Sequence, residues 1–296
     1  MLKKIINNFK LLFNPVLINA YVFYENGRVK HENWGDDINY LFLREICERS
    51  IGIFDQFSLA FRFKFKNYLV IGSTIDMLCR ENTEVWGAGI IDGTKPLKYK
   101  PKKVYAVRGP LTREVLLEQG VDCPEVYGDP ALLISRYYQP KVKKKYKYGF
   151  IAHVSNRDKV SNLYLDNIPI KERDDILIID LSKYDKWTDI PDQICSCENI
   201  ISSSLHGLII AEAYEIPNVW IEFGKPLIGG HFKFHDFFLS IGRDREEPVF
   251  VKNNNIKMKQ INENLKVWQA GHLDLAPLQK ACPFKIKKQF TNRFSK

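Results

Sequence analysis

Short apolar runs that end in glycine or a polar turn recur along this chain, and they restrict it to a parallel α/β architecture more than any other feature does. Residues 68–71, 84–86 and 104–107 are such runs in the first half. Strands that open into loops followed by helices are how parallel sheets present ligand sites. Ahead of them the pattern predicts a strand over 16–24, a polar loop over 25–37, and a helix over 38–49 that Asp36 or Asp37 caps. Gly109 and Pro110 start a further helix over 111–118, because proline suits a first helical turn.

The stretch VYGDPALLI closes this alternation, with Gly128, Asp129 and Pro130 making a turn. Pro140 and the run Lys141, Lys143, Lys144, Lys145 and Lys147 follow as a linker. A second alternation begins at Tyr148, with strands over 148–153, 176–180, 199–202 and 218–222 and helices over 190–195 and 208–214. The 296 residues suit two units of about 150 residues each. The expected fold class is therefore α/β, two Rossmann-like domains facing a cleft, over 1–140 and 141–296. No fixed-period repeat is present, which argues against solenoids and propellers.

A 45% hydrophobic and 27% charged composition is that of a globular protein rather than a disordered one. The net charge of +9 is localised: Lys280, Lys285, Lys287, Lys288, Arg293 and Lys296 form an acid-free tail. Such runs attract anionic lipid, nucleic acid or phosphorylated substrates. The folded part is read as lacking the interleaved aromatic and basic residues of a nucleic-acid recognition module, so no nucleic-acid partner is expected. Six cysteines without CxxC pairs read as reduced thiols of a cytosolic protein.

Leu2, Ile5, Ile6, Phe9, Leu12 and Phe13 recur at helical spacing opposite Lys3, Lys4, Asn7 and Lys10, an amphipathic helix over 1–13. Asn7, Asn8, Lys10, Asn14 and Pro15 interrupt any signal-peptide core, and no run of 18 apolar residues follows. That helix, with Phe284, Phe290 and Phe294 in the basic tail, predicts peripheral contact with an anionic membrane.

The most informative stretch is ENIISSSLHGLIIAEAYEIPNVWIEF, residues 198–223. A strand runs into Ser203, Ser204, Leu205, His206 and Gly207 as a helix begins. Backbone N–H groups and hydroxyls at a helix N-terminus form a site for phosphate or carboxylate, with His206 at its mouth. In NWGDDIN, Asn33 and Gly35 shape a loop that turns Asp36 and Asp37 toward the cleft, and Asp37 is favoured as the carboxylate that holds or deprotonates an acceptor hydroxyl. In WGAGI, Gly87 and Gly89 allow close backbone approach, but without G-x-G-x-x-G no dinucleotide cofactor is expected. KPLIGGHFKFHDFF reads as a substrate-facing loop contributing Lys225, Gly229, Gly230, His231, Lys233 and His235. His231 and His235 lack a third ligand at a metal-like spacing, so no metal is expected.

In chain order, Asn33-Trp34-Gly35-Asp36-Asp37, Trp86-Gly87-Ala88-Gly89, Val107-Arg108-Gly109-Pro110, Gly128-Asp129-Pro130 and SSLHG with its helix resemble the polysaccharide pyruvyltransferase family over residues 30–240. The resemblance implies a two-domain protein of the glycosyltransferase B type, with the N-terminal domain on the acceptor side and the C-terminal domain on the donor side. It implies a bacterial enzyme of exopolysaccharide or capsule synthesis, in the cytoplasm or at the inner face of the membrane. The donor would be phosphoenolpyruvate, used without a cofactor, and the product a cyclic pyruvate ketal on a glycan or lipid-linked oligosaccharide. In that scheme His206 protonates the enol carbon or escorts phosphate, and Arg108 stabilises the leaving phosphate.

One departure from the family pattern stands out. Many relatives carry arginine where this chain has Ser204, which leaves the donor's phosphate and carboxylate in want of a cation; Arg108 is the first substitute, then Arg157 and Lys225. The competing reading is a nucleotide-sugar glycosyltransferase, because LIIAEAYEIPN with Glu212 resembles the donor-binding part of that class.

Overall fold

A computed structural model describes residues 8, 10–25, 28–224, 227–244 and 247–291. The first half runs β1 (Val16–Ile18), α1 (Trp34–Ile46), β2 (Ile51–Ile53), α2 (Ser58–Arg62), β3 (Asn67–Leu69), β4 (Thr83–Trp86), β5 (Lys103–Ala106) and α3 (Pro110–Glu118). The second runs β6 (Tyr146–Ile151), β7 (Ile176–Ile179), α4 (Asp189–Cys195), β8 (Cys197–Ser202), α5 (Leu205–Ala213), β9 (Asn218–Phe223), α6 (Phe232–Ser240) and β10 (Val249–Val251).

Each half builds one five-stranded, all-parallel sheet. The orders are β2-β1-β3-β4-β5 and β7-β6-β8-β9-β10, the same arrangement twice. Strands β1, β2, β4 and β9 are buried along their whole length, as expected where both faces of a parallel sheet are covered. In this strand order the direction of winding reverses between the first and third strands, and the crevice beyond their C-terminal ends is where ligands bind. Each half has one such reversal point.

The exposed segment over 141–145 links the two sheets, as the lysine run suggested. One buried cluster nevertheless runs from Ile18 and Trp34 through Leu133 and Ile134 to Ile200 and Leu208, so both sheets share a core. The chain reaches back across itself at residue 278, whose carbonyl accepts from Trp86 Nε1 at 2.8 Å.

Three expectations need correction. The first strand covers only 16–18. Helix α1 begins at Trp34, and its cap is Asn33, whose Oδ1 accepts from the Gly35 N–H at 3.3 Å; both aspartates lie in the first turn rather than at the cap. Two edge strands, β2 and β10, were not foreseen. No helix among the described residues is long and apolar enough to cross a membrane. Most of the predicted N-terminal helix and the end of the basic tail lie outside the described residues.

Candidate functional site

The two reversal points face each other. Beyond β3 lie Ser73 and Thr74; beyond β6 and β8 lie His153, Ser204, Leu205 and His206. Together with Tyr21, Asn33, Asp36, Ile91 and Lys233 they line one pocket of about 170 Å³. The site is thus assembled from both halves.

The NWGDDIN motif is accounted for residue by residue. Asn33 caps α1 and donates from Nδ2 to Asp36 Oδ2 at 2.6 Å, which turns that carboxylate onto the pocket wall. Trp34 fastens the helix start to the second half: its backbone N–H donates to the Leu181 carbonyl and its Nε1 to the Trp187 carbonyl, both at 2.8 Å. Gly35 lies against the imidazole of His206, so that a β-carbon there would stand 2.6 Å from Cγ of the ring. Asn39 clips α1 to the loop beyond β3, accepting from the Ile71 N–H at 2.9 Å and donating to its carbonyl at 3.2 Å.

Asp37 corrects the sequence reading. It is 1% exposed and accepts from the Tyr184 hydroxyl at 2.6 Å, off the pocket wall. Burial, and secondarily the charge of Asp36, push its carboxyl up to about 7 against the lowering effect of that hydrogen bond. Asp36, pushed up to about 6 by burial, is the carboxylate that meets the cavity.

On the other side, β8 ends in a serine turn. Ser202 Oγ accepts from the Ser204 N–H at 3.0 Å and donates to the Ser204 carbonyl at 2.9 Å. Ser203 is buried, with its Oγ accepting from the His153 N–H at 2.9 Å. Gly207 packs α5 close on β6, where a β-carbon would meet Ile151 Cδ1 at 3.1 Å. Ser204 takes the N-cap position without a side-chain cap bond, and Ser204, Leu205 and His206 at the start of α5 line the cavity.

His206 Nε2 is buried with no hydrogen-bond partner, and so is Thr74 Oγ1, which borders the same pocket. Unpaired buried polar atoms are costly, and two together at one cavity mark a place that a polar ligand completes. Burial, then the charges of Lys233 and Arg108, hold the His206 imidazole down at about 3; burial and Lys233 hold His153 at about 4. Both rings are neutral near pH 7. The Gly72 N–H beside His206 donates to Asp129 Oδ2 at 3.1 Å, so the Gly-Asp-Pro turn fastens the loop that carries Ser73 and Thr74 to the pocket.

Arg108 is placed differently from its expected role. It is fully buried, with Nε and Nη2 both 2.9 Å from Asp236 Oδ2, Nη2 donating to the Ile90 carbonyl at 2.8 Å, and Nη1 donating to Ser73 Oγ. Asp236 also accepts from the Thr112 N–H at 2.9 Å and hydroxyl at 2.7 Å. The guanidinium is therefore committed to a buried clamp between the first half and α6, one layer behind the pocket. Gly89 makes room for it, since a β-carbon there would stand 2.6 Å from Nη2. Gly87, at φ +86°, packs on the Gly128–Pro130 turn, so both glycines serve the scaffold rather than a ligand.

The cation that does meet the cavity is Lys233, from the first turn of the same α6. It is 7% exposed, and among the described residues its ammonium has neither a hydrogen bond nor a carboxylate in ion-pair range. Burial, then the neighbouring Arg108, bring it down to about 8, against the pull of Asp36. The sequence reading included Lys233 only as one residue of a substrate-facing loop; the segment from Phe232 onward is instead a helix, whose first turn carries it. The signal available was its place one turn before Asp236, which fixes the helix face that meets the first half.

Arg157 donates to Ser182 Oγ at 3.1 Å and lines a separate cleft with Asp158, Asp180 and Lys183. His231 Nε2 lies 2.9 Å from Glu222 Oε2 and its ring meets Trp220 edge-on, away from the pocket. Lys225 lies outside the described residues. Among the described residues no three His, Cys, Asp or Glu side chains gather as metal ligands. Glu212 is consumed internally: it accepts from Asn218 at 2.7 Å, Trp268 at 3.2 Å and the Gly271 N–H at 3.1 Å, and pairs with Arg243. It is thereby withdrawn from the donor-binding role that the glycosyltransferase reading required.

Comparison with known proteins bears on the family. The family model for polysaccharide pyruvyl transferase matches residues 49–224. An uncharacterized protein of Acanthamoeba polyphaga mimivirus is 27% identical over 235 residues, covering 76% of this chain and 78% of that protein. The succinoglycan biosynthesis protein ExoV of Rhizobium meliloti (strain 1021) is 27% identical over 244 residues, covering 75% of this chain and 67% of its own. The likeness reaches a viral as well as a bacterial protein, so it fixes no bacterial source. The matched segment runs from β2 to the end of β9, through most of both sheets, and the chain belongs to the polysaccharide pyruvyl transferase family.

Proposed function

We propose that this pyruvyltransferase takes its three-carbon unit from phosphoenolpyruvate and leaves it as a cyclic ketal on one sugar of a surface glycan or its lipid-linked precursor. The observation that carries the reading is the set of groups on one small cavity: the Lys233 ammonium with no carboxylate in ion-pair range, and His206 Nε2 and Thr74 Oγ1 with no hydrogen-bond partner, beside the start of α5. They suit a compact ligand with two anionic groups. Two Rossmann-like domains, 1–140 and 141–296, in a glycosyltransferase B arrangement fit the repeated strand order and the site between the two reversal points.

Lys233 and the N–H groups after Ser204 receive the donor's phosphate and carboxylate, with Lys233 supplying the charge that arginine supplies in relatives. The arriving anion offsets the burial and the cations that keep His206 neutral, so the imidazole takes up a proton as the donor binds. It passes that proton to the methylene carbon, which becomes a methyl group. The adjacent carbon turns electrophilic, and a sugar hydroxyl adds to it, losing its proton to Asp36. Cleavage of the carbon–oxygen bond to phosphate releases phosphate, and a second hydroxyl of the same sugar closes the ring with loss of its own proton.

The decisive experiment follows phosphate release from phosphoenolpyruvate with galactoside, glucoside and mannoside acceptors, and identifies the ketal on the glycan by mass spectrometry. Acceptor-dependent phosphate release with a ketal product is expected. Pyruvylation only from a donor other than phosphoenolpyruvate would overturn the reading.

A further inference from the structure

The edge of the first sheet opposite the pocket, where its strands begin, gathers features that the transfer reaction does not use. Residues 61–66, Phe-Arg-Phe-Lys-Phe-Lys, are exposed without a break. Phe61 is 56% exposed, Phe63 63% and Phe65 41%. This run interleaves aromatic and basic residues, which the sequence reading had not noticed. It lies beside the first residues of β3, β4 and β5: the Asn82 side chain donates to the Lys64 carbonyl at 2.7 Å and accepts from Lys102 Nζ at 3.3 Å.

Chain segments far apart in sequence meet at the same edge. Asn8 bonds to Ser58 Oγ and to the Leu59 N–H, so residues leading into β1 lie across α2, with Leu12 and Phe13 exposed at 72% and 75%. The described part of the basic tail comes here too, where the Lys287 N–H donates to the Ile46 carbonyl at 2.8 Å and the Glu48 N–H to the Lys285 carbonyl at 2.9 Å, ahead of β2. Lys64 and Lys66 pair with Glu81 and Glu84 at 2.7 and 2.9 Å, whereas Arg62, Lys102 and Lys103 are exposed with no ion pair among the described residues.

We propose that this edge is a docking face for an anionic bilayer, with Phe61, Phe63 and Phe65 seated among the headgroups and the surplus basic residues on lipid phosphates. Exposed large apolar side chains in one place mark interaction sites, and a cationic rim around them complements anionic lipid. Leu12 and Leu59 beside the run favour lipid over single-stranded nucleic acid, for aliphatic chains offer bases nothing to stack upon.

The test is sedimentation of the full chain with vesicles of phosphatidylcholine alone and with one third phosphatidylglycerol, together with a fluorescence titration against single-stranded RNA. Binding should appear with the anionic vesicles and fall with salt. Each basic residue near an anionic surface is worth about fivefold, so K102E/K103E should weaken binding by about 25-fold or more. F63S and F65S should each weaken it by about tenfold, with unchanged melting temperature because both side chains are exposed. Equal recovery in the supernatant with both vesicle types, binding insensitive to F63S and F65S, or affinity for RNA without affinity for vesicles would overturn the proposal. None of these readouts depends on the donor or acceptor of the transfer reaction.

Discussion

The imidazole of His206 occupies the space that a β-carbon on Gly35 would need, 2.6 Å from its Cγ, so the first helix of one half is cut to receive a ring of the other. The backbone at position 35 is ordinary helix, and alanine there is strained only by the ring. Gly35→Ala is therefore expected to displace His206 and lower kcat by about 100-fold, a loss of the order seen when one acid–base group is misplaced. Circular dichroism and melting temperature should stay near wild type. Retention of full activity would show that the ring position is not critical.

The two aspartates of the same motif should separate cleanly. Asp36→Asn keeps the bond to Asn33 in outline but removes the base on the cavity wall, and turnover should fall with little change in stability. Asp37→Asn weakens the bond from Tyr184 but also removes a buried charge whose burial outweighs that bond, so stability in urea at neutral pH should hold or rise, with turnover and the KM for donor unchanged. The reverse assignment of effects would return the acceptor role to Asp37.

Lys233 is buried without a counter-ion, which destabilises the folded protein. Lys233→Met should raise the free energy of unfolding by about 1 kcal/mol or more while raising the KM for phosphoenolpyruvate at least about tenfold. In the wild type the folded lysine loses its proton near pH 8, so donor affinity should decline as pH rises through that value. Both effects are read from one pair of proteins by denaturant unfolding and a pH series of initial rates.

Arg108 and Asp236 form a buried pair, and removing one partner strands the other. Asp236→Asn is expected to destabilise the protein by about 3 to 5 kcal/mol, visible as a lower urea midpoint. An effect confined to donor affinity, without loss of stability, would restore Arg108 to the role the sequence first suggested.

The pH dependence of stability has a definite sign. His206 and His153 are held at about 3 and about 4, below the ordinary 6.5, so between those values the unfolded chain binds protons that the folded one does not. Their contribution is full above about 6.5 and is lost as pH falls. Asp36 and Asp37, raised to about 6 and about 7 from 3.8, oppose this, since the folded protein holds protons there that the unfolded chain has released. His206→Gln should therefore make the loss of melting temperature between about pH 7 and about pH 5 smaller than in wild type. An unchanged acid limb would mean that the ring is not buried neutral.

Periodicity located most strands and helices of this chain to within a few residues, because buried parallel strands such as Asn218–Phe223 are apolar throughout. It missed Ile51–Ile53 and Val249–Val251, which are too short to stand out and are strands only because a neighbour pairs with them. The helix start at Trp34 was masked by glycine and two aspartates, residues that read as loop until Asn33 caps them. At the site, the serine turn and His206 were legible because the motif is contiguous. The exchange of Asp37 for Asp36 and of Arg108 for Lys233 was not, since both depend on which side chain a partner more than 120 residues away takes up: Tyr184 claims the one, Asp236 the other.

The clamp between Arg108 and Asp236 bears on how the enzyme cycles. Asp236 stands three residues beyond Lys233 on one helix, so the element that carries Lys233 to the cavity is bolted to the opposite half by a buried ion pair and the Thr112 hydrogen bonds. Swinging the halves apart would expose and separate those charges at every turnover, at a cost of several kcal/mol. The crevice is accordingly preformed, and ligand exchange needs no hinge between the halves. Mechanically, two sheets that look like separate lobes work as a single rigid vice already closed to its working gap.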